Sequence, residues 1–165
     1  FDVSLNEDYT FNRIKVKAIN YATSLWGTDK QISVLNFSAS GFANNTTILN
    51  AVKKYPGVFV WAASNKRENV DNFKKIADFN IDNLISVGAA DESNDKCLFS
   101  NYGNNVSIFA PGSSIYSTVN EGSYVYKSGT SMAAPHVAAA AGLLYSKYPN
   151  MLYIFQFLEF DSCKS

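Results

Sequence analysis

Apolar residues at Ile14, Ala18, Ile19, Ala22, Leu25 and Trp26 fall on one face of a helix, so the spacing predicts a helix from Asn12 to Trp26. Ile32–Phe37 then reads as a buried strand. Ile48, Leu49 and Val52 mark a second helix from Thr46 to Tyr55, stopped by Pro56-Gly57. Val58–Ala62 is apolar without interruption, the character of a strand buried on both faces of a parallel sheet. Residues 64–80 are polar and irregular and predict a solvated loop. Leu84–Gly88 is a further apolar strand. Short strands follow at Val106–Phe109, Ile115–Thr118 and Tyr124–Tyr126, separated by Asn, Gly and Ser turns. A long helix of small residues closes the pattern near Tyr148-Pro149-Asn150.

Helices alternating with apolar strands imply right-handed crossovers and a mostly parallel sheet with helices on both faces. The fold class is therefore α/β, three-layered. No repeat or linker divides residues 1–150. The remaining segment, 151–165, opens with the unusually apolar run Met151–Phe160. It reads equally as a buried segment, an exposed patch wanting a partner, or an altered terminus.

Composition narrows the function classes. The 165 residues fit one domain with a substantial core. With 47% hydrophobic and 17% charged residues, the balance is globular rather than disordered. Fourteen basic residues oppose fourteen acidic ones, and no basic cluster stands out, which argues against nucleic acid or an anionic membrane as partner. No apolar run is long enough to span a bilayer. Cys97 and Cys163 are too few and too far apart for a disulfide framework or a metal site, and they leave the redox compartment open. Phe1-Asp2-Val3-Ser4-Leu5 has neither an initiator methionine nor a signal-peptide pattern. It reads as a strand fragment entered partway, with upstream chain expected before it.

The chemistry concentrates in Gly129-Thr130-Ser131-Met132-Ala133-Ala134-Pro135-His136-Val137. This run places a hydroxyl at the N-terminus of a helix continued by Ala138–Ala141. Unpaired N–H groups and the positive end of the helix dipole suit an oxygen that attacks a carbonyl and leaves it negative. Alanine at 133 excludes the Gly-x-Ser-x-Gly elbow of α/β-hydrolases. His136 is the only histidine. Five helical residues rotate it about 140° net from Ser131 and carry it about 7.5 Å along the axis, so it reads as a packed histidine satisfied locally, not as a base.

The nine-residue run closely resembles the nucleophile motif of the subtilisin-like serine proteases, the subtilases. Ala62-Ala63-Ser64-Asn65 is similar to the family's Ala-Ala-Gly-Asn element, and Asn36–Gly41 to its substrate-pairing strand and turn. Leu84–Ala89, Phe99–Gly103 and Ile108–Gly112 also resemble its core elements. The resemblance spans roughly residues 12–150 and implies that 1–150 is the later portion of a catalytic domain. It implies Ser131 as nucleophile and Asn65 as oxyanion donor. Ser38, Ala39, Ser40, Ala63, Ser64, Gly129 and Thr130 would line the substrate site. Ser64 stands where the family has glycine; if that position needs positive φ, the serine strains the site or redirects the loop.

Subtilases order their triad Asp, His, Ser. Neither an Asp-x-Gly nor a His-Gly-Thr segment occurs in these 165 residues, so the acid and base are expected from upstream sequence. The expected function is a serine endopeptidase working through an acyl-enzyme, inactive as this piece alone and marginal as a folded unit. The alternative is an inactive homologue that binds extended peptides. The partners implied are a polypeptide substrate, the missing N-terminal part of the domain, or a propeptide. The resemblance also implies secretion. The chemistry requires no cofactor. Structural calcium has no ligand motif here, because residues 66–80 lack the family's tyrosine-proline signal and a metal site.

Overall fold

A computed structural model describes residues 7–39, 45–72 and 81–149. The strand fragment expected at Phe1–Leu5, Ser40, and the apolar segment 151–165 lie outside the described residues. Helix α1 spans Glu7–Ser24 and α2 spans Thr46–Lys54. Strands β1 (Val34–Phe37), β2 (Val58–Ala62), β3 (Leu84–Ala90) and β4 (Ile108–Pro111) form one sheet. All neighbours are parallel, and their order follows the chain. Strands β5 (Ile115–Thr118) and β6 (Tyr124–Lys127) form a separate antiparallel ribbon. Helix α3 (Thr130–Lys147) then crosses all four parallel strands.

The uninterrupted apolar run of β2 is used on both faces. Val58, Val60 and Ala62 enter one core with Ile85, Val87 and Ala89 of β3 and Ala133, Ala134, Val137 and Ala141 of α3. Phe59 and Trp61 enter the other with Ile19 and Ala22 of α1 and Ile48, Leu49 and Val52 of α2. Alternate side chains of a strand point to opposite faces, so one strand serves both layers. The three-layer α/β reading is what the molecule adopts. In α1 the packed stripe differs from the expected one: Val16, Ile19 and Ala22 face the core while Ile14 is 58% exposed. A helix laid on one sheet face buries a single stripe, and Ile14 lies 140° of helical rotation from Ile19, outside it.

Local signals set the remaining ends. The Asn45 side chain accepts from the Thr47 and Ile48 N–H groups, both at 3.1 Å, and caps α2. Buried Tyr55 ends that helix and donates its hydroxyl to the Ile32 carbonyl at 2.8 Å. Asn83 then donates to the carbonyls of Val52, Tyr55 and Gly57, tying the start of β3 to the connection before β2.

Parallel strands put all their C-terminal ends at one edge of the sheet, where α/β proteins gather their sites. Here that edge carries Ser38 and Ala39 after β1, Ala63–Asn65 after β2 and Gly112 after β4. Helix α3 begins at the same edge. Its N-cap Gly129 donates to the Gly112 carbonyl at 2.7 Å. Gly112 must lack a side chain: a β-carbon there would lie 2.6 Å from the Ala89 Cβ and 2.9 Å from the Gly129 carbonyl oxygen. That close approach fixes where the helix starts.

Candidate active site

Ser131 is the second residue of α3, partly exposed at the sheet edge. Four N–H groups at a helix start lack intrahelical partners. The Thr130 N–H goes to the Asn65 Oδ1 at 2.9 Å, and those of Met132 and Ala133 go to the Gly129 carbonyl. The Ser131 N–H has no acceptor among the described residues. The Ser131 hydroxyl donates to the Ser38 carbonyl at 3.1 Å. Residues from two strand ends, Ser38 after β1 and Asn65 after β2, thus meet the first turn of this helix.

Asn65 is held with a defined amide orientation. Its Oδ1 accepts the Thr130 N–H and also the Thr130 hydroxyl at 3.0 Å, although 65 residues of chain separate the two. That hydroxyl donates to Asn65, whose Oδ1 can only accept, and itself accepts the Ser64 N–H at 3.1 Å. With two donors on Oδ1, Nδ2 is the end that faces away from Thr130, and Asn65 is exposed. A β-carbon on Gly129 would lie 3.2 Å from that nitrogen, so glycine at 129 gives the amide its room. Its φ of 155° with ψ of 160° is also an arrangement that suits glycine.

Ser64 occupies the left-handed region at φ 84°, and Arg67 follows at φ 56°. For residues with a β-carbon such backbone costs on the order of 1–3 kcal/mol each. The loop carrying Asn65 is therefore strained where glycine would be at ease.

The other expected site residues fall into place unevenly. Ser38 and Ala39 are partly exposed beside Ser131, and the Ser38 hydroxyl accepts from Asn36 Nδ2 at 3.0 Å. Ala63 is fully buried and Thr130 is 1% exposed, its hydroxyl committed to Asn65. His136 differs from the packed residue expected: it is exposed. Its Nδ1 lies 2.8 Å from the Met132 carbonyl one turn back, which places a proton on that nitrogen. Among the described residues no layer covers this side of α3, where Pro135 is exposed as well. A cavity of about 470 Å³ lies between the β5–β6 ribbon and the first turns of α3, lined by Tyr116, Lys127, Ser131, Met132 and His136 among others. Among the described residues no group of three or more His, Cys, Asp or Glu side chains could hold a metal ion. No helix among them is long and apolar enough to cross a membrane.

The family model of the subtilases, peptidase S8, matches residues 3–154. The chain belongs to the subtilase family. This subtilase is 37% identical to subtilisin DY of Bacillus licheniformis over 129 residues, which cover 76% of the chain and 47% of that protein. It is 38% identical to the thermophilic serine proteinase of Bacillus sp. (strain AK1) over 137 residues, 82% of the chain and 33% of the relative. Among solved structures, a protease of Pseudoalteromonas arctica superposes with a TM-score of 0.69 at 29% identity, covering 82% of the chain and 47% of its own. A cold-adapted subtilisin-like serine proteinase gives 0.65 at 28% identity. The chain spans about half the length, or less, of these relatives.

Sequence reasoning about this subtilase missed the hinge of the site. The resemblance implies Thr130 in the substrate site, and nothing in the sequence signals that its hydroxyl also links Ser64 and Asn65. Asn101, in the connection between β3 and β4, belongs to the run Phe99–Gly103, which resembles a core element of the family. It is fully buried and bonds to the Asn65 loop. No local pattern distinguishes such an asparagine from an ordinary turn former.

Proposed function

We propose that this chain carries the nucleophile and oxyanion-binding half of a serine endopeptidase that cleaves polypeptides. The observation that supports it most is the locked Asn65 amide, whose oxygen is taken by Thr130 and whose N–H₂ end faces out beside the start of α3. An amide held this way can donate to a developing oxyanion without reorganising. In the complete enzyme the Ser131 hydroxyl leaves the Ser38 carbonyl and attacks the scissile carbonyl carbon. Its proton passes to a histidine supplied by upstream sequence, steadied by an upstream aspartate. The tetrahedral oxyanion is held by Asn65 Nδ2 and the Ser131 N–H. Collapse breaks the C–N bond as the histidine protonates the leaving amine, and water then hydrolyses the acyl-enzyme, regenerating Ser131.

An extended substrate would pair with backbone near Asn36–Ala39, gaining affinity with few side-chain demands. Such chemistry needs no cofactor. We place the protein outside the cytoplasm on family membership.

Treatment of the full-length protein with a fluorophosphonate is the direct test. Mass spectrometry should find the adduct on the peptide containing Ser131, and Ser131→Ala should abolish both adduct and peptide hydrolysis. Folded full-length protein that takes no label would reject the enzyme and leave an inactive homologue that binds extended peptides.

A further inference from the structure

Two left-handed residues, Ser64 and Arg67, flank the strand end that carries Asn65, and such backbone persists only where its surroundings over-determine it. Two of the bonds that supply this determination come from one side chain, that of Asn101. Asn101 is 0% exposed. Its Oδ1 accepts the N–H groups of Lys66 and Glu68, each at 3.0 Å, and its own N–H donates to the Ser64 carbonyl at 3.0 Å. Neighbours extend the seam: Arg67 donates to the Phe99 carbonyl and Tyr102 to the Glu68 carbonyl, both at 3.1 Å. Asn101 is in turn fixed to the sheet. The Ser100 hydroxyl donates to the Asn101 carbonyl at 2.9 Å and accepts the Ala89 N–H of β3 at 3.0 Å.

We propose that Asn101 is a positioning residue for the Asn65 amide: its side-chain oxygen, anchored through Ser100 to β3, holds the strained loop 64–68 and so aims Asn65 Nδ2 at the substrate carbonyl. The proposal rests on the reading of Asn65 as oxyanion donor. It assigns Asn101 no contact with substrate. Two observations support it together. Both Lys66 and Glu68 N–H groups converge on a single acceptor, which a turn former would not need. Asn101 also keeps a buried Nδ2 with no hydrogen-bond partner among the described residues, so the amide is retained for its oxygen at the expense of a donor.

The test is a double-mutant cycle in the full-length protein, measured on a peptide substrate. Asn101→Ala should lower kcat by about 10-fold or more, short of the ~10²–10³-fold loss expected for deleting the Asn65 donor, with KM unchanged. In an Asn65→Ala background the same change should cost nothing further in kcat. Asn101→Asp, which retains an oxygen for both N–H groups, should recover most of the loss. If Asn101→Ala fails to fold, Ser64→Gly is added to relieve the left-handed strain, and the cycle is run on that pair. Unchanged kcat in a folded Asn101→Ala protein, or losses that multiply with those of Asn65→Ala, would overturn the proposal. A parent protein without hydrolysis would sink the peptidase reading instead. The positioning claim is then decided by hydrogen exchange: it requires faster exchange of the Lys66, Glu68 and Thr130 amides in Asn101→Ala, and unchanged protection refutes it.

Discussion

At position 64 a serine does what glycine does without strain, and it does so one residue before Asn65, the amide we propose as oxyanion donor. Its φ of 84° is compelled by bonds at both ends: the N–H to Thr130 and the carbonyl from Asn101. Replacing a left-handed L-residue with glycine removes roughly 1–2 kcal/mol of steric cost. Glycine's greater freedom in the unfolded chain returns roughly 0.5–1 kcal/mol of that. Ser64→Gly should therefore stabilise the protein by up to about 1 kcal/mol, or a rise of ~2–4 °C in Tm. Differential scanning calorimetry of the full-length protein decides the sign, and a lower Tm would mean that the Ser64 side chain contributes more than its backbone costs. The residue type announced the tension in the sequence. The backbone angle, and the partners that impose it, did not.

Elements were legible where one physical signal dominated. The bounds of β2 and β5 follow from apolar runs and turn residues, and both match the expectation at each end. Strand β4 runs Ile108–Pro111 instead of Val106–Phe109, because pairing with β3 is set by register and not by hydrophobicity: Val87 meets Ile108. Proline is tolerated at its end because β4 is the last strand of the described sheet. Contacts between loops were invisible for a different reason, since their partners lie over 30 residues apart. Asp71 shows this best. Within a stretch read as solvated loop, its carboxylate accepts the N–H groups of Asn104 and Asn105 at 2.8 Å and their side-chain amides at 3.2 and 2.9 Å.

Partial burial pushes the Asp71 carboxyl upward, but these bonds outweigh it and hold the group below its ordinary range. The ionised form is thus favoured in the fold. Its contribution is fully present above the usual carboxylate pKa and disappears as pH falls through the lower folded value. Asp71→Asn should accordingly lower Tm near neutral pH, with the gap to the parent closing in acid. A gap independent of pH would assign Asp71 a packing role alone.

On the scale of the whole molecule, the described residues cover the sheet on both faces and leave one side of α3 open. One core lies beneath α1 and α2 and another beneath α3, so the sheet is covered on both sides. Yet the outward face of α3 is bare: Pro135, His136, Ala139 and Ala140 are exposed, and Leu143 is 73% exposed. Small residues on an uncovered helix permit close approach by another layer. The Ser131 hydroxyl, meanwhile, has among the described residues a backbone carbonyl as its partner, which cannot remove its proton. A polypeptide of these 165 residues alone should therefore show no measurable peptidase activity where the full-length protein hydrolyses the same peptide. In a subtilisin, loss of the base costs about 2 × 10⁶ in kcat, and that figure is the expectation carried to this chain. Oxyanion donors without a base still bind a carbonyl, so extended peptides should retain weak affinity for the short chain. Turnover by it that survives Ser131→Ala would point to a contaminant. Turnover that Ser131→Ala removes would mean that a base exists within these residues, and His136, the sole histidine, would then have to leave the Met132 carbonyl to serve.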